Sequence, residues 1–315
     1  MKHSKTLTYL LISLSVVFWG ISFILTKELF ISEEHMTVTL LIALRLAIAT
    51  LVMFPVMALT RNLEPIRRGD LKWFLLLALC EPFIYHLCET SGVQLVSGSL
   101  ASVIIATIPL FVPFGMWAAY RKRIGVPLIV GVVLSLGGVF ILIAGGDSLG
   151  GNAKGLLFLA GAVVIAVVYT LLLVKIVDRY RPLTITTWQN LIGLLYFLPL
   201  VFIFDGSQLP LLSYSPKMLL MLLTLGICCS TLAYAFYNRG VRVLGASEAC
   251  IFNNAIPVFS LLAAILIGQE HFSWLKLLGI IVVIAGVVIA QIELPARKKK
   301  SNKNTKSRTN ALLSV

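Results

Sequence analysis

Charged side chains are scarce in this sequence. They make up 12% of its 315 residues, whereas soluble globular proteins carry roughly 25%. Hydrophobic residues account for 59% of the chain, and the mean hydropathy is +0.97. So few charges cannot cover the surface of a soluble domain of this length. The composition therefore predicts an integral membrane protein.

The sequence also lacks the short motifs of several enzyme and cofactor classes. It contains no Walker phosphate-binding motif and no HExxH zinc motif. Its five cysteines all lie inside apolar stretches, and none has the spacing of a CxxC pair or of a Cys/His metal site. These absences favour a protein that is not an enzyme, that has no cofactor or metal, and that is not coupled directly to ATP.

Acidic residues are half as numerous as basic ones, with 13 Asp and Glu against 26 Lys and Arg. In a soluble protein this excess would suggest a nucleic-acid partner. Here the basic residues lie mostly in short segments between apolar stretches, which is the pattern that sets the orientation of membrane helices. We therefore expect a lipid bilayer as the environment and no nucleic acid as a partner.

Apolar stretches of 19 to 23 residues recur along the chain, each long enough to cross a hydrocarbon core of about 30 Å. Their number predicts an all-α polytopic membrane protein with ten transmembrane helices. The predicted spans are 8–26, 38–59, 71–91, 99–120, 126–145, 155–175, 184–204, 216–238, 246–268 and 274–292.

Lys and Arg are divided unevenly between the connecting segments. The termini and every second connection hold 21 of them, and the alternate connections hold 4. Because cytoplasmic loops carry the excess of Lys and Arg, this bias predicts that both termini are cytoplasmic, which requires an even number of crossings. Residues 294–315 then form a basic cytoplasmic tail, which we expect to be disordered.

The two halves of the sequence share a pattern at a constant offset of 148 residues. The match is clearest between residues 99–111 and 247–259, and it includes Pro109 and Pro257. Residues 1–150 and 151–293 are therefore predicted to be two five-helix repeats. Since five is odd, the second repeat enters the membrane from the opposite side, an inverted arrangement that is common in secondary transporters.

Several segments together resemble the EamA-type family of the drug/metabolite transporter superfamily. They are Trp19-Gly20, the glycine-containing stretches GVVLSLGGVFIL and GIIVVIAGVVIA, and Gly268-Gln269-Glu270, in addition to the paired proline-bearing helices. The resemblance implies a ten-helix transporter of small metabolites in the plasma or inner membrane. It also implies a cavity lined by helices one, three, four, six, eight and nine, with Trp19, Ser22, Tyr169 and Tyr234 among the lining residues.

The third predicted span is the most polar one. Glu81, Tyr85 and Glu89 follow one another at intervals of four residues, so a regular helix would place them on one face. His86 lies about 100° away from Tyr85 and need not share that face. A buried carboxylate there could bind the amine of a substrate or carry a proton. The structural alternative is an ion pair between Glu89 and Arg45 of helix two.

Pro109 and Pro257 lie about ten residues into the fourth and ninth spans. A proline inside a helix removes one backbone donor and frees the carbonyl of the residue four positions earlier. Asn253 and Asn254 stand just before Pro257 and add amide groups at the opened turn. We therefore expect both prolines to bound a substrate site, with a role for one of the two asparagines.

These observations predict a secondary transporter that moves a small metabolite, an amino acid or a related compound, by alternating access around a cavity at mid-depth, with export as the expected direction. The substrate is a small molecule, and protons are a second candidate ligand. A channel-like facilitator and a membrane-embedded lipid-modifying enzyme are the alternatives. The glycines of helices five and ten suit close helix packing either within one chain or in a homodimer, so the sequence leaves open a monomer or a homodimer.

Overall fold

The computed structural model describes residues 5–120, 125–144, 153–245, 249–250 and 252–290, and all regular structure among them is helical. The predicted tail at 294–315 lies outside the described residues. We number the helices in chain order. Their bounds are α1 (Lys5–Ser32), α2 (Val38–Leu59), α3 (Leu71–Leu95), α4 (Gly98–Ile105 and Ile108–Tyr120), α5 (Val126–Ala144), α6 (Ala153–Leu173), α7 (Pro182–Leu200), α8 (Pro216–Leu244), α9 (Phe252–Ala255 and Ile256–Ile267) and α10 (Trp274–Ala290).

Seven of these helices are long and apolar enough to cross a membrane, namely α1, α2, α3, α4, α6, α7 and α8. Helices α5, α9 and α10 contain shorter apolar stretches among the described residues. The all-helical membrane fold is confirmed. Ten crossings and the cytoplasmic position of both termini stay predictions.

Helices α4 and α9 are both interrupted directly before the two prolines that are related by the 148-residue offset, Pro109 and Pro257. In α4 the α-helix stops after Ile105 and restarts at Ile108, so that Pro109 is the second residue of the new segment. In α9 a 3₁₀ turn at Phe252–Ala255 precedes the segment in which Pro257 is the second residue. Proline suits the first turn of a helix, where its missing N–H has no intrahelical partner. The predicted local opening of both helices is confirmed.

A second pair of irregularities was not predicted. In α3 the residues Leu79–Ile84 form a wider π-helical turn, in which Glu81 has an extended backbone (φ −139°, ψ 115°). In α8 the residues Thr224–Leu232 are also π-helical, and they overlap the α3 turn when it is shifted by 148 residues. Such insertions often occur at functional sites. These two pairs of irregular helices occupy corresponding places in the two halves, and α7 continues into a further π-helical turn at Val201–Asp205.

Helices α5 and α10 pack directly against each other through their glycines. A Cβ added at Gly138 would lie 2.9 Å from the carbonyl oxygen of Gly279, and one added at Gly286 would lie 2.7 Å from that of Gly131. Ser135 Oγ donates a hydrogen bond to the Val283 carbonyl (3.0 Å). The contact is reciprocal, because at the offset of 148 residues Gly286 corresponds to Gly138, and Gly131 corresponds to Gly279. These glycines are therefore used for packing within one chain, although the oligomeric state itself is untested.

Two adjacent glycines in α5 give a matched test of this packing. In Gly138→Ala the new methyl group meets the backbone of α10, which cannot yield as a flexible side chain can. We expect a loss of about 1–3 kcal/mol in unfolding free energy, as for other overpacked cores. Gly137→Ala should be tolerated, since nothing lies within 4 Å of a Cβ there. Thermal unfolding of both purified variants in detergent compares them, and equal midpoints would contradict the tight contact.

Candidate functional site

A cavity of about 60 Å³ lies between α1, α2, α3, α4, α6, α8 and α9. One water molecule needs about 10–15 Å³ on this measure, so in this conformation the cavity has room for a few waters rather than for a metabolite. Eight of the residues predicted to bind substrate line it. They are Trp19, Ser22, Glu81, Tyr85, Glu89, Tyr169, Tyr234 and Asn253.

Three predicted residues are not in the cavity wall. Pro109 and Pro257 lie one residue beyond Ile108 and Ile256, which do line the cavity. Asn254 is buried, but only its neighbour Asn253 faces the cavity. Successive residues of a 3₁₀ turn point about 120° apart, and here Asn254 points away from the cavity. The prolines thus shape the wall without forming it.

A chain of acidic and imidazole groups crosses the cavity. His86 Nε2 lies 3.2 Å from Glu81 Oε1, and His86 Nδ1 lies 3.1 Å from Glu89 Oε2. The Tyr85 hydroxyl donates a second hydrogen bond to Glu89 (3.2 Å). All four side chains are buried. The Nδ1–Glu89 contact is a hydrogen bond, whereas Nε2 has no hydrogen-bond partner in the described part of the chain, although Glu81 lies close to it. A neutral imidazole has one N–H and a protonated one has two, so a second bond, to Glu81, requires an additional proton on His86 or on that carboxylate.

Sequence reasoning missed the central position of His86. In a regular α-helix two residues five positions apart point in directions about 140° apart, which separates Glu81 from His86. The π turn contains more residues per turn and brings positions i and i+5 together. Pro82, directly after Glu81, was the one sequence signal for this irregularity.

Arg45 and Glu89 line the same cavity but do not form the ion pair that the sequence suggested. Arg45 Nε donates to Ser230 Oγ at 2.8 Å, and the Glu89 oxygens are occupied by Tyr85 and His86. Among the described residues no salt bridge joins the two. The Arg45 guanidinium is buried and is held by α8 instead, which leaves its charge facing the cavity.

Aromatic side chains form the opposite wall. Trp19 packs against Tyr234 with a ring-centroid distance of 5.0 Å and against Tyr237 at 5.2 Å. Tyr234 also stands edge-on to His86 at 6.3 Å. Tyr237 is an addition to the predicted set, and the resemblance to the transporter family correctly located Trp19 and Tyr234 at the cavity.

Several buried polar atoms around the cavity have no hydrogen-bond partner within the described part of the chain. They include Trp19 Nε1, Glu81 Oε2 and Asn253 Oδ1. Leaving a buried polar group unsatisfied costs about 1–3 kcal/mol. These atoms therefore favour a polar occupant that offers both acceptors and donors.

Helix α7 supports the irregular turn of α3 from behind. Gln189 Nε2 donates to the backbone carbonyl of Glu81 (2.9 Å), an oxygen that lacks a regular helical partner. Gly193 faces the ring of Pro82, and a Cβ there would overlap the ring and lie 2.9 Å from Pro82 Cδ. Sequence reasoning gave no role to Gln189, because its partner is remote in the chain.

Fold and site together define an α-helical membrane protein in which two related halves enclose a charged, aromatic cavity. The chain belongs to the EamA-like transporter family, since the sequence model of that family matches residues 6–144 and again residues 153–291. It is therefore a multi-pass membrane transporter, and the predicted family resemblance is confirmed.

Individual relatives align with this chain over most of their length. An uncharacterized transporter of Archaeoglobus fulgidus is 26% identical over 92% of this chain and 99% of its own. The uncharacterized inner membrane transporter YicL of Salmonella typhimurium is 22% identical over 91% and 95%. One crystal structure superposes with a TM-score of 0.62 at 19% identity, covering 88% of this chain and 98% of that one, which shows the same fold.

Proposed function

We propose that the chain is a secondary transporter that moves a small metabolite, an amino acid or a related compound, by alternating access around the cavity at its centre. The observation that carries the proposal is the set of buried, charged and partly unsatisfied polar groups that α1, α2, α3 and α9 direct into one enclosed space. Ionisable residues inside membrane helices are costly and rare, and they typically mark a substrate or ion pathway.

The chemistry of the walls matches a zwitterionic substrate. Glu81 and Glu89 offer negative charge to an ammonium group, and the Trp19 ring offers a π face to the same cation. Arg45 offers a guanidinium to a carboxylate, the pairing for which Arg is best suited. Ile105 and Ile108 supply an apolar wall for a side chain.

Protons are the second proposed ligand. The Glu81–His86–Glu89 chain changes its net charge by one when His86 or a carboxylate binds a proton, and Arg45 is the remaining charge that faces the cavity. A proton and a substrate ammonium would compete for the same carboxylates. The proposal therefore includes exchange of substrate against protons, with export of the metabolite as the working direction.

The proposed architecture is ten transmembrane helices in two inverted five-helix repeats, 1–150 and 151–293, with both termini and the tail at 294–315 in the cytoplasm. The reciprocal contact of α5 and α10 supports the two-fold relation of the repeats. The small cavity supports an occluded state, because a substrate would need the halves to separate on one side before it could enter.

Counterflow in proteoliposomes tests the proposed function. Vesicles loaded with an unlabelled amino acid should accumulate the labelled one transiently above equilibrium, and the initial rate should saturate with concentration. A panel of zwitterionic, cationic and anionic amino acids at two internal pH values identifies the substrate class and the proton effect. Flux that rises linearly without counterflow would indicate a channel and would contradict the carrier mechanism.

A further inference from the structure

A second, larger cavity lies on the other side of α8. It has a volume of about 600 Å³ and is bordered by α1, α2, α7, α8 and the segment before α7. Helix α8 lines it with Ala235, Phe236 and Arg239, whereas Tyr234 and Tyr237 of the same helix face the central site. Since each residue turns a helix by 100°, these two groups lie on opposite faces. The pocket is therefore separate from the proposed transport site.

Positive charge dominates the polar part of this pocket. Four arginines line it, and Glu64 is the one acidic residue among the lining residues. The arginines are Arg179, Arg181, Arg239 and Arg242. Arg179 is paired with Asp70 at 2.6 Å, and the Glu64 carboxylate accepts a hydrogen bond from the Arg181 backbone (2.6 Å). The guanidinium groups of the pocket therefore outnumber its carboxylates.

The remaining lining is apolar. Leu11, Met57, Phe236 and Val243 form a hydrophobic wall beside the arginines. The pocket lies where α1 begins, α2 ends, α7 begins and α8 ends, so all of it lies at the face that the Lys and Arg bias predicts to be cytoplasmic. Its ligand must be anionic at one end and apolar at the other.

We propose that this pocket binds an anionic phospholipid of the cytoplasmic leaflet, with the phosphate against Arg181 and Arg242 and an acyl chain along Leu11 and Phe236. Basic pockets between helices at this membrane face suit anionic headgroups. A free phosphate would leave the apolar wall unused. The basic tail of the chain itself would be repelled, because residues 297–308 contain seven Lys and Arg.

Lipid binding to the purified full-length chain in a zwitterionic detergent tests the proposal without any transport assay. Phosphatidylglycerol should raise the thermal unfolding midpoint and remain bound in native mass spectrometry, whereas phosphatidylcholine should do neither. Arg181→Ala/Arg242→Ala should weaken phosphatidylglycerol binding about thirtyfold, the size expected when two basic residues next to an anionic headgroup are lost. Raised salt should weaken it as well.

The matched control is Arg67→Ala/Arg68→Ala, which removes the same charge from exposed positions of the same face that do not line the pocket. It should bind phosphatidylglycerol like the parent protein. Equal losses in both double variants would overturn the proposal in favour of diffuse surface attraction. The same stabilisation by glycerol phosphate or inorganic phosphate would overturn it in favour of a free-anion site.

A single substitution keeps the test decisive if the double variant does not fold. Arg242→Gln changes an exposed side chain without a hydrogen bond in the described part of the chain, so the fold should be kept. It should weaken phosphatidylglycerol binding several-fold. Unchanged binding by a folded Arg242→Gln protein would overturn the assignment of the headgroup to this arginine.

Discussion

Replacing Glu81 by Gln is expected to reduce substrate counterflow at least tenfold while leaving the amount of protein in the membrane unchanged. Glu81 is buried, with a side chain that is 6% exposed, and its Oε2 has no hydrogen-bond partner among the described residues. Gln keeps the size of the side chain and removes its charge. The cavity then loses one of the two carboxylates that would hold a substrate ammonium or a proton, and His86 keeps Glu89 as its single acidic neighbour.

The measurement is the initial counterflow rate of reconstituted protein at several pH values, normalised to the amount of folded protein. Glu34→Gln is the matched control, because Glu34 is exposed in the connection between α1 and α2 and lies far from the cavity lining. If protons compete with substrate, the pH dependence of the parent protein should flatten in Glu81→Gln. A variant with the rate and pH profile of the parent would remove Glu81 from the mechanism.

Much of the cavity could be predicted because its residues follow local rules. Tyr85 and Glu89 lie in a regular helical segment and share a face by their spacing, and the breaks before Pro109 and Pro257 follow from the missing proline N–H. Trp19 and Tyr234 came from the family resemblance, since no local pattern distinguishes a lining aromatic from a packing one.

What could not be predicted depends on contacts between distant parts of the chain. Arg45 has a long side chain that can reach several partners. Only the position of α8 in the structure shows that its Nε donates a hydrogen bond to Ser230. Gln189 donates to the carbonyl of Glu81, which is free to accept this bond because the α3 backbone is irregular at that residue. His86 joins the site for the same reason. The π turn is therefore the feature on which the prediction from helical periodicity failed.

The contact of α7 with the π turn of α3 predicts a second large effect on counterflow. Gly193→Ala places a methyl group against the Pro82 ring, a rigid neighbour that cannot rotate away, so the turn itself must shift. Because Glu81 directly precedes Pro82, and its carbonyl is held by Gln189 of the same helix, the shift displaces the carboxylate from His86. We expect counterflow to fall about tenfold or more and the unfolding free energy to fall by about 1–3 kcal/mol.

Gly161→Ala is the matched control for this effect. Gly161 is in the middle of α6, and an added Cβ would lie 3.6 Å from Cys88 Sγ, an ordinary van der Waals contact. Counterflow and thermal unfolding of both variants separate a displaced site from a general loss of stability. If Gly193→Ala lowers the unfolding midpoint but transports at the parent rate per folded molecule, the Pro82 turn contributes to packing alone. A rate that falls in Gly193→Ala and not in Gly161→Ala makes α7 the positioning element for the carboxylate, although no α7 residue lines the cavity.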